Sequence, residues 1–164
     1  MSSPTLMIDD LRDDADATAF RRLNEQWIEQ FFALEPEDAR QLRHPVEQLV
    51  EPGGAVLVAR LGAGPDAEVI GCVGLAATPR PGVVELVKMA VSPDHQGHGT
   101  GRALVAAAVA RARELGATRI ELESNARLVA AVHLYEEHGF RHLGADEHEP
   151  GPYARADVAM ALDL

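Results

Sequence analysis

The chain has 164 residues, 46% of them hydrophobic and 25% charged, enough for one compact domain with a real core and too few for two. Its formal net charge of −11, from 15 Lys and Arg against 26 Asp and Glu, argues against nucleic-acid binding, which needs a basic face to meet phosphates. An acidic surface can attract a cationic substrate such as an amine, but it can equally serve only solubility.

The single cysteine, Cys72, excludes an internal disulfide and fits a reducing compartment. It lies in an apolar run and reads as a small buried hydrophobe rather than a nucleophile. The beginning of the chain carries Asp9, Asp10, Asp13 and Asp14 with no apolar stretch before a small-residue cleavage site, so no signal peptide is expected. The longest apolar run, Ala103 to Ala110, is far short of a membrane span. The expected location is the cytoplasm, with neither membrane nor nucleic acid as a partner.

Thr5 to Ile8 reads as a short strand. Asp13 to Leu34 reads as a helix, with Phe20, Leu23, Trp27, Phe31 and Leu34 forming one apolar stripe and acidic residues in the first turn. Pro36 opens a second short helix that stops before Pro45, and a further turn runs from Val46 to Val50. Three strands follow, Ala55 to Leu61, Glu68 to Ala77 and Val83 to Val91, separated by glycine- and proline-rich turns. Their short connections predict an antiparallel meander. Alternation within the third strand puts Val83, Glu85, Val87, Met89 and Val91 on one face and Val84, Leu86, Lys88 and Ala90 on the other.

The next stretch, His95-Gln96-Gly97-His98-Gly99-Thr100-Gly101-Arg102-Ala103-Leu104, leads into a helix whose packing face is Leu104, Val105, Ala108, Val109, Ala112 and Leu115, closed by Gly116. Thr118 to Glu123 alternates as a strand, so strand, helix and strand predict a parallel crossover. Arg127 to His138 reads as a helix packing through Val129, Val132 and Tyr135, stopped by Gly139. Phe140 to Leu143 is a short strand, Ala145 to Pro152 an acidic, histidine-bearing loop, and Tyr153 to Leu162 the last strand. The whole, residues 1–164, reads as a single α+β domain.

Gly97, Gly99 and Gly101 leave backbone N–H groups uncovered at a helix start, where the helix dipole also favours an anion. Three phosphate motifs compete for this loop. An NTPase loop needs Gly-Lys-Ser/Thr at its end, but Gly101 is followed by Arg102-Ala103. The dinucleotide fingerprint wants two residues between its second and third glycines, which the even spacing here does not provide. The third pattern, Gln/Arg-x-x-Gly-x-Gly/Ala, is met by Gln96-Gly97-His98-Gly99-Thr100-Gly101.

That segment resembles the coenzyme A pyrophosphate loop of the GCN5-related N-acetyltransferase (GNAT) superfamily. The strand Glu85 to Val91 precedes it as in that superfamily. Leu122-Glu123-Ser124-Asn125 and the later Leu134-Tyr135-Glu136-Glu137-His138-Gly139-Phe140 look like the family's fifth strand and following helix, where Leu-Tyr-x-x-x-Gly-Phe recurs. The early block around Leu23 to Ile28 and Leu34 to Asp38 looks like a bacterial subgroup with poorly defined substrates. The resemblance extends over about Thr5 to Leu164. It implies a GNAT fold: a mixed, mostly antiparallel sheet of six to seven strands, helices on both faces, and a splayed strand pair that binds acetyl-CoA.

The resemblance also implies roles. Backbone at Met89, Ala90 and Val91 would meet pantetheine, and the amides of Gly97, His98, Gly99, Thr100, Gly101 and Arg102 would cradle the pyrophosphate. The side chains of Gln96, His98 and Arg102 would add contacts; position 96 is often Arg in the family, so here affinity would rest more on amides. Asn125 would touch pantetheine or an ordered water, or else cap the following helix. Tyr135 matches the tyrosine that protonates the leaving thiolate, and it would be protonated at neutral pH; the alternative is a helix-face tyrosine in the core. Glu85 is the candidate general base, on the same face as Met89, with Glu123 as a rival and pairing with a cation such as Lys88 as its structural alternative.

Trp27 and Phe31 are core candidates on helices that wall the acceptor site in the family, which Tyr153, Arg155 and the preceding loop would close from the other end. The seven histidines offer no triad with metal-ligand spacing, because His95 and His98 share a loop and His133 and His138 point apart. The expected activity is acetyl transfer from acetyl-CoA to a primary amine of a small molecule, by direct attack in a ternary complex. A non-catalytic acyl-CoA-binding regulatory module and a protein or peptide N-acetyltransferase remain the alternatives, and the resemblance admits a homodimer.

Overall fold

The computed structural model describes residues 4–64 and 66–164. Its elements are β1 (Leu6–Asp10), α1 (Asp14–Phe31), α2 (Pro36–Arg43), β2 (Ala55–Leu61), β3 (Val69–Ala77), β4 (Val83–Val91), α3 (Thr100–Glu114), β5 (Arg119–Ser124), α4 (Val129–Glu137), β6 (Arg141–His142) and β7 (Val158–Asp163), with a π turn at Val46–Val50 and a 3₁₀ turn at Pro93–His95. The seven strands form one sheet in the order β1-β2-β3-β4-β5-β7-β6. Every pairing is antiparallel except β4 with β5. The meander and the parallel crossover through α3 are therefore as expected. No described helix is long and apolar enough to cross a membrane.

The sheet separates two cores. On one face, Leu104, Val105, Ala108 and Ala112 of α3 pack on Leu57, Ile70 and Leu86, together with Tyr135 and Phe140. On the other, Phe20, Leu23 and Ile28 of α1 pack with Leu42, Leu49, Val58 and Cys72. Cys72 is fully buried, and burial pushes its thiol up to about 12, so it is an inert member of the core.

Alternation fails in β4. Cys72 pairs with Ala90, but Gly74 pairs with Val87, so β4 carries one extra residue, a β-bulge. Lys88 sits in it with φ 53, the one non-glycine positive φ among the described residues. Beyond the bulge the faces exchange: Met89 and Val91 join Leu86 on the α3 side, whereas Val87 and Ala90 lie on the α1 side. The expectation that Glu85 and Met89 share a face is thus overturned.

Other boundaries also differ. α1 ends at Phe31, and both Phe31 and Leu34 are partly exposed. α4 begins at Val129, which is 70% exposed and does not pack; Leu115 at the end of α3 is exposed as well. The last strand begins at Val158 rather than Tyr153, because residues 153–157 bond to loop partners instead. The Ala154 amide donates to Glu35, and the Arg155 carbonyl accepts from the Asn125 side chain.

Asp13 caps α1 by accepting from the Asp16 amide. Asp16 in turn holds Arg60 of β2 through two 2.6 Å bonds, with both side chains buried. Removing one partner of a buried pair strands the other charge. Asp16→Ala is expected to lower the unfolding free energy by roughly 3–5 kcal/mol, read as a lower urea midpoint with an unchanged denaturant slope.

Candidate active site

The parallel pairing of β4 with β5 spans only Val83–Arg119, Val84–Ile120 and Glu85–Glu121. Beyond Glu85 the strands part, and a cavity of about 760 Å³ opens between them. Its walls come from the second half of β4, the 95–102 loop and start of α3, the end of β5, α4, the last turns of α1, and residues 153–156.

At one end lies the glycine loop. Gly97 and Gly99 adopt φ values of 81 and 85, and a Cβ built on either would meet nothing within 4 Å. These positions need the left-handed region that glycine alone enters freely. In this conformation the main-chain N–H groups of Gly97 through Arg102 donate to no acceptor among the described residues; the first bonded amide is Ala103, to the Gly99 carbonyl. Six free donors at the N-terminus of a 15-residue helix fit a diphosphate well. The chain's residues therefore suit coenzyme A at this end.

Most residues singled out in the sequence meet here. Met89, Ala90, Val91, Gln96, Gly97, Gly99, Thr100, Gly101, Arg102, Asn125, Tyr135 and Glu85 all line the cavity. His98 does not: it is exposed and lies outside the wall. The Gln96 side chain donates to the Val91 carbonyl at 3.1 Å. Arg102 pairs with Glu137 at 2.6 Å, and His133 pairs with the same carboxylate. The Asn125 side chain is engaged twice, accepting from the Arg127 amide and donating to the Arg155 carbonyl, and so ties the end of β5 to the α4 approach and the 153–157 segment.

Tyr135 is buried, its ring 5.8 Å from that of Phe140. Its hydroxyl makes no hydrogen bond among the described residues. Burial raises its phenol well above the ordinary range, so it stays protonated. Glu85 likewise has no ion-pair or hydrogen-bond partner among the described residues. Burial and the charge of Glu123 raise it to about 7, although Lys88 and His148 pull the other way. Glu85 and Glu123 also wall a second cavity of about 530 Å³, between the β3–β4 turn and the 145–151 loop. Glu123 itself is committed to that loop, accepting from His148 at 3.1 Å and from the Gly151 amide at 3.0 Å.

At the end away from the glycines the wall is aromatic and cationic: Trp27, Phe31, Tyr153, Lys88, Arg127 and Arg155. The bulge turns Lys88 toward α2, where its Nζ bonds Asp38 at 2.7 Å and the Tyr153 hydroxyl at 2.9 Å. Arg155 grips the same carboxylate with two bonds of 2.7 and 2.6 Å. Burial alone would raise Asp38, but the bonds from Arg155 and the charge and bond of Lys88 outweigh it and hold the carboxyl down to about 2. Sequence reasoning missed Lys88 and Arg127 as parts of this wall, and Asp38 as the carboxylate behind it. A lysine inside an otherwise apolar strand was the available signal for Lys88.

A family model described as the acetyltransferase (GNAT) family matches residues 17–140. Over 145 residues the chain is 32% identical to mycothiol acetyltransferase from Cellulomonas flavigena, a match covering 80% of this chain and 39% of that protein. The chain thus spans about two fifths of that relative's length. A GNAT-family acetyltransferase from Staphylococcus aureus Mu50 has the same fold, with a TM-score of 0.85 at 15% identity, covering 98% of this chain and 99% of the other. So does yncA from Salmonella typhimurium, solved with its cofactor acetyl-CoA, with a TM-score of 0.73 at 22% identity, covering 97% and 94%. From the parted strands, the free amides of the glycine loop and this family match, the chain belongs to the acetyltransferase (GNAT) family.

Proposed function

We propose that the chain transfers an acetyl group from acetyl-CoA to the primary amine of a small molecule, by direct attack within a ternary complex. The observation that carries this reading is one continuous cavity with free amides at one end, a protonated phenol and a carboxyl near neutrality along it, and an aromatic and cationic wall at the other end. Acetyl-CoA, when bound, supplies an activated acyl carbon and a thiolate leaving group.

The amides of Gly97 to Arg102 hold the diphosphate. Backbone of Met89, Ala90 and Val91 lies along the β4 side of the gap, where it positions the acyl arm. Asn125 and Gln96 border the same path, and Arg102 exchanges Glu137 for phosphate. Glu85 takes the proton that the amine must lose before its lone pair can form the new N–C bond. The second cavity gives that proton a route to solvent past Glu123 and His148. As the C–S bond breaks, Tyr135 gives its hydroxyl proton to the departing sulfur.

Three outcomes test this. Gly99→Ala forces a Cβ into the left-handed region and is expected to weaken acetyl-CoA binding about tenfold by titration calorimetry, in line with roughly 1–2 kcal/mol of backbone strain. Tyr135→Phe is expected to slow thiol release about a hundredfold with acetyl-CoA affinity kept. Binding with no turnover on any amine, and no effect of this substitution, would instead mark a regulatory acyl-CoA-binding module.

The third outcome is a pH profile. Glu85 acts as a base only when ionised, so kcat/KM is expected to rise with pH through a midpoint near 7. Glu85→Gln should lose that limb and at least about a hundredfold in rate. The same shift has a folding consequence. The folded-state value lies above the ordinary 4.5, so the neutral carboxyl stabilises the fold below about 4.5 and that stabilisation is lost as pH rises through 7. The Gln variant should therefore melt no lower than the parent protein at pH 8.

A further inference from the structure

The charges facing the cavity are divided. Toward the fork of β4 and β5 stand two carboxylates, Glu85 and Glu123; at the aromatic end stand three cations, Lys88, Arg127 and Arg155. The carboxylates that pair with those cations, Asp38 and Glu35, do not line the cavity but lie behind it. The cations are not saturated. The Lys88 ammonium, only 3% exposed along its side chain, has three N–H donors and uses two, to Asp38 and the Tyr153 hydroxyl. Arg155 spends its terminal nitrogens on Asp38 and Glu35 and leaves its Nε–H free. Arg127 has no carboxylate partner among the described residues; it donates to the Phe31 carbonyl at 3.1 Å and lies over the Phe32 ring.

A buried ammonium with an unused donor is costly unless something completes it. Its backbone strain at φ 53 fits the same picture, since such strain persists at ligand clamps where surrounding contacts impose it. This cationic end also runs against the chain's net charge of −11, so it is a local feature of the cavity wall. We propose that the acceptor is a free amino acid, its amine directed to Glu85 at the fork and its carboxylate bound among the unused donors of Lys88, Arg155 and Arg127. The proposal rests on the acetyl-transfer reading for the direction of the amine; the carboxylate site stands on the wall alone.

The protein saturated with coenzyme A, titrated calorimetrically with each of the twenty protein amino acids and with its C-terminal amide, reads the carboxylate directly. Thiol release from acetyl-CoA with the same pairs reads turnover. At least one amino acid should bind and react some ten- to hundredfold better than its amide, the range for hydrogen bonds to a charged group. Arg155→Gln should bring that ratio close to one. Where that variant fails to fold for loss of the Asp38 pair, Arg127→Gln, which breaks no carboxylate pair, should still lower the ratio about tenfold. Equal binding of acid and amide, binding of neither across the panel, or faster acetylation of peptide N-termini than of any free amino acid would overturn the proposal. Turnover without carboxylate preference overturns this inference and leaves acetyl transfer standing; carboxylate-dependent binding without thiol release does the reverse.

Discussion

Everything at the site follows from where β4 stops pairing with β5. Three residue pairs hold the strands together, and past Glu85 each runs on without the other. Backbone donors and acceptors on facing strands normally satisfy one another, and leaving them apart in a protein interior is unfavourable. The gap is therefore stable only if the surrounding elements hold it open and a ligand or solvent completes it. α3 and α4 hold one side, and α1, α2 and the 153–157 segment hold the other.

The bulge at Lys88 is the local device that keeps β4 out of register with a closed sheet. It bends the strand and turns a lysine toward α2, where Asp38 accepts from it and from Arg155. One carboxylate with no exposure at all thus joins α2, β4 and the approach to β7. Three segments remote in sequence are tied at the far end of the cavity, and loss of Asp38 would strand Lys88 and leave Arg155 with Glu35 alone. The strain of φ 53 is balanced by this anchorage rather than relieved. Folding energy and the shape of the cavity's far end are in this respect the same interaction.

Much of this was legible in the sequence. Turn chemistry between the three β runs, Gly116 after the α3 pattern and the even glycines before it marked the meander, the crossover helix and the loop of free amides, because those features are local. The β4 faces were misread because a bulge does not disturb composition; it adds one residue, and only pairing with Cys72 and Gly74 reveals it. Alternation put Lys88 with Val84, Leu86 and Ala90 on one strand face, and its actual partner went unseen because Asp38 lies fifty positions earlier. Val129 looked like core because periodicity continued through it, yet α4 begins there and Val129 faces solvent while Ala131 and Val132 of the same turn reach the core. The 153–157 segment read as strand, but long-range bonds to Glu35 and Asn125 took its backbone groups out of the sheet.

The central claim is that one stretch of free main-chain donors and one unpaired strand together receive acetyl-CoA. Backbone amide resonances measured by heteronuclear NMR during titration with acetyl-CoA test it residue by residue. The account predicts large, saturable shifts for Gly97 to Arg102 and for Met89 to Val91, with the amides of β1 and β2 left in place. Shifts confined to other parts of the molecule, or none at saturating ligand, would contradict it.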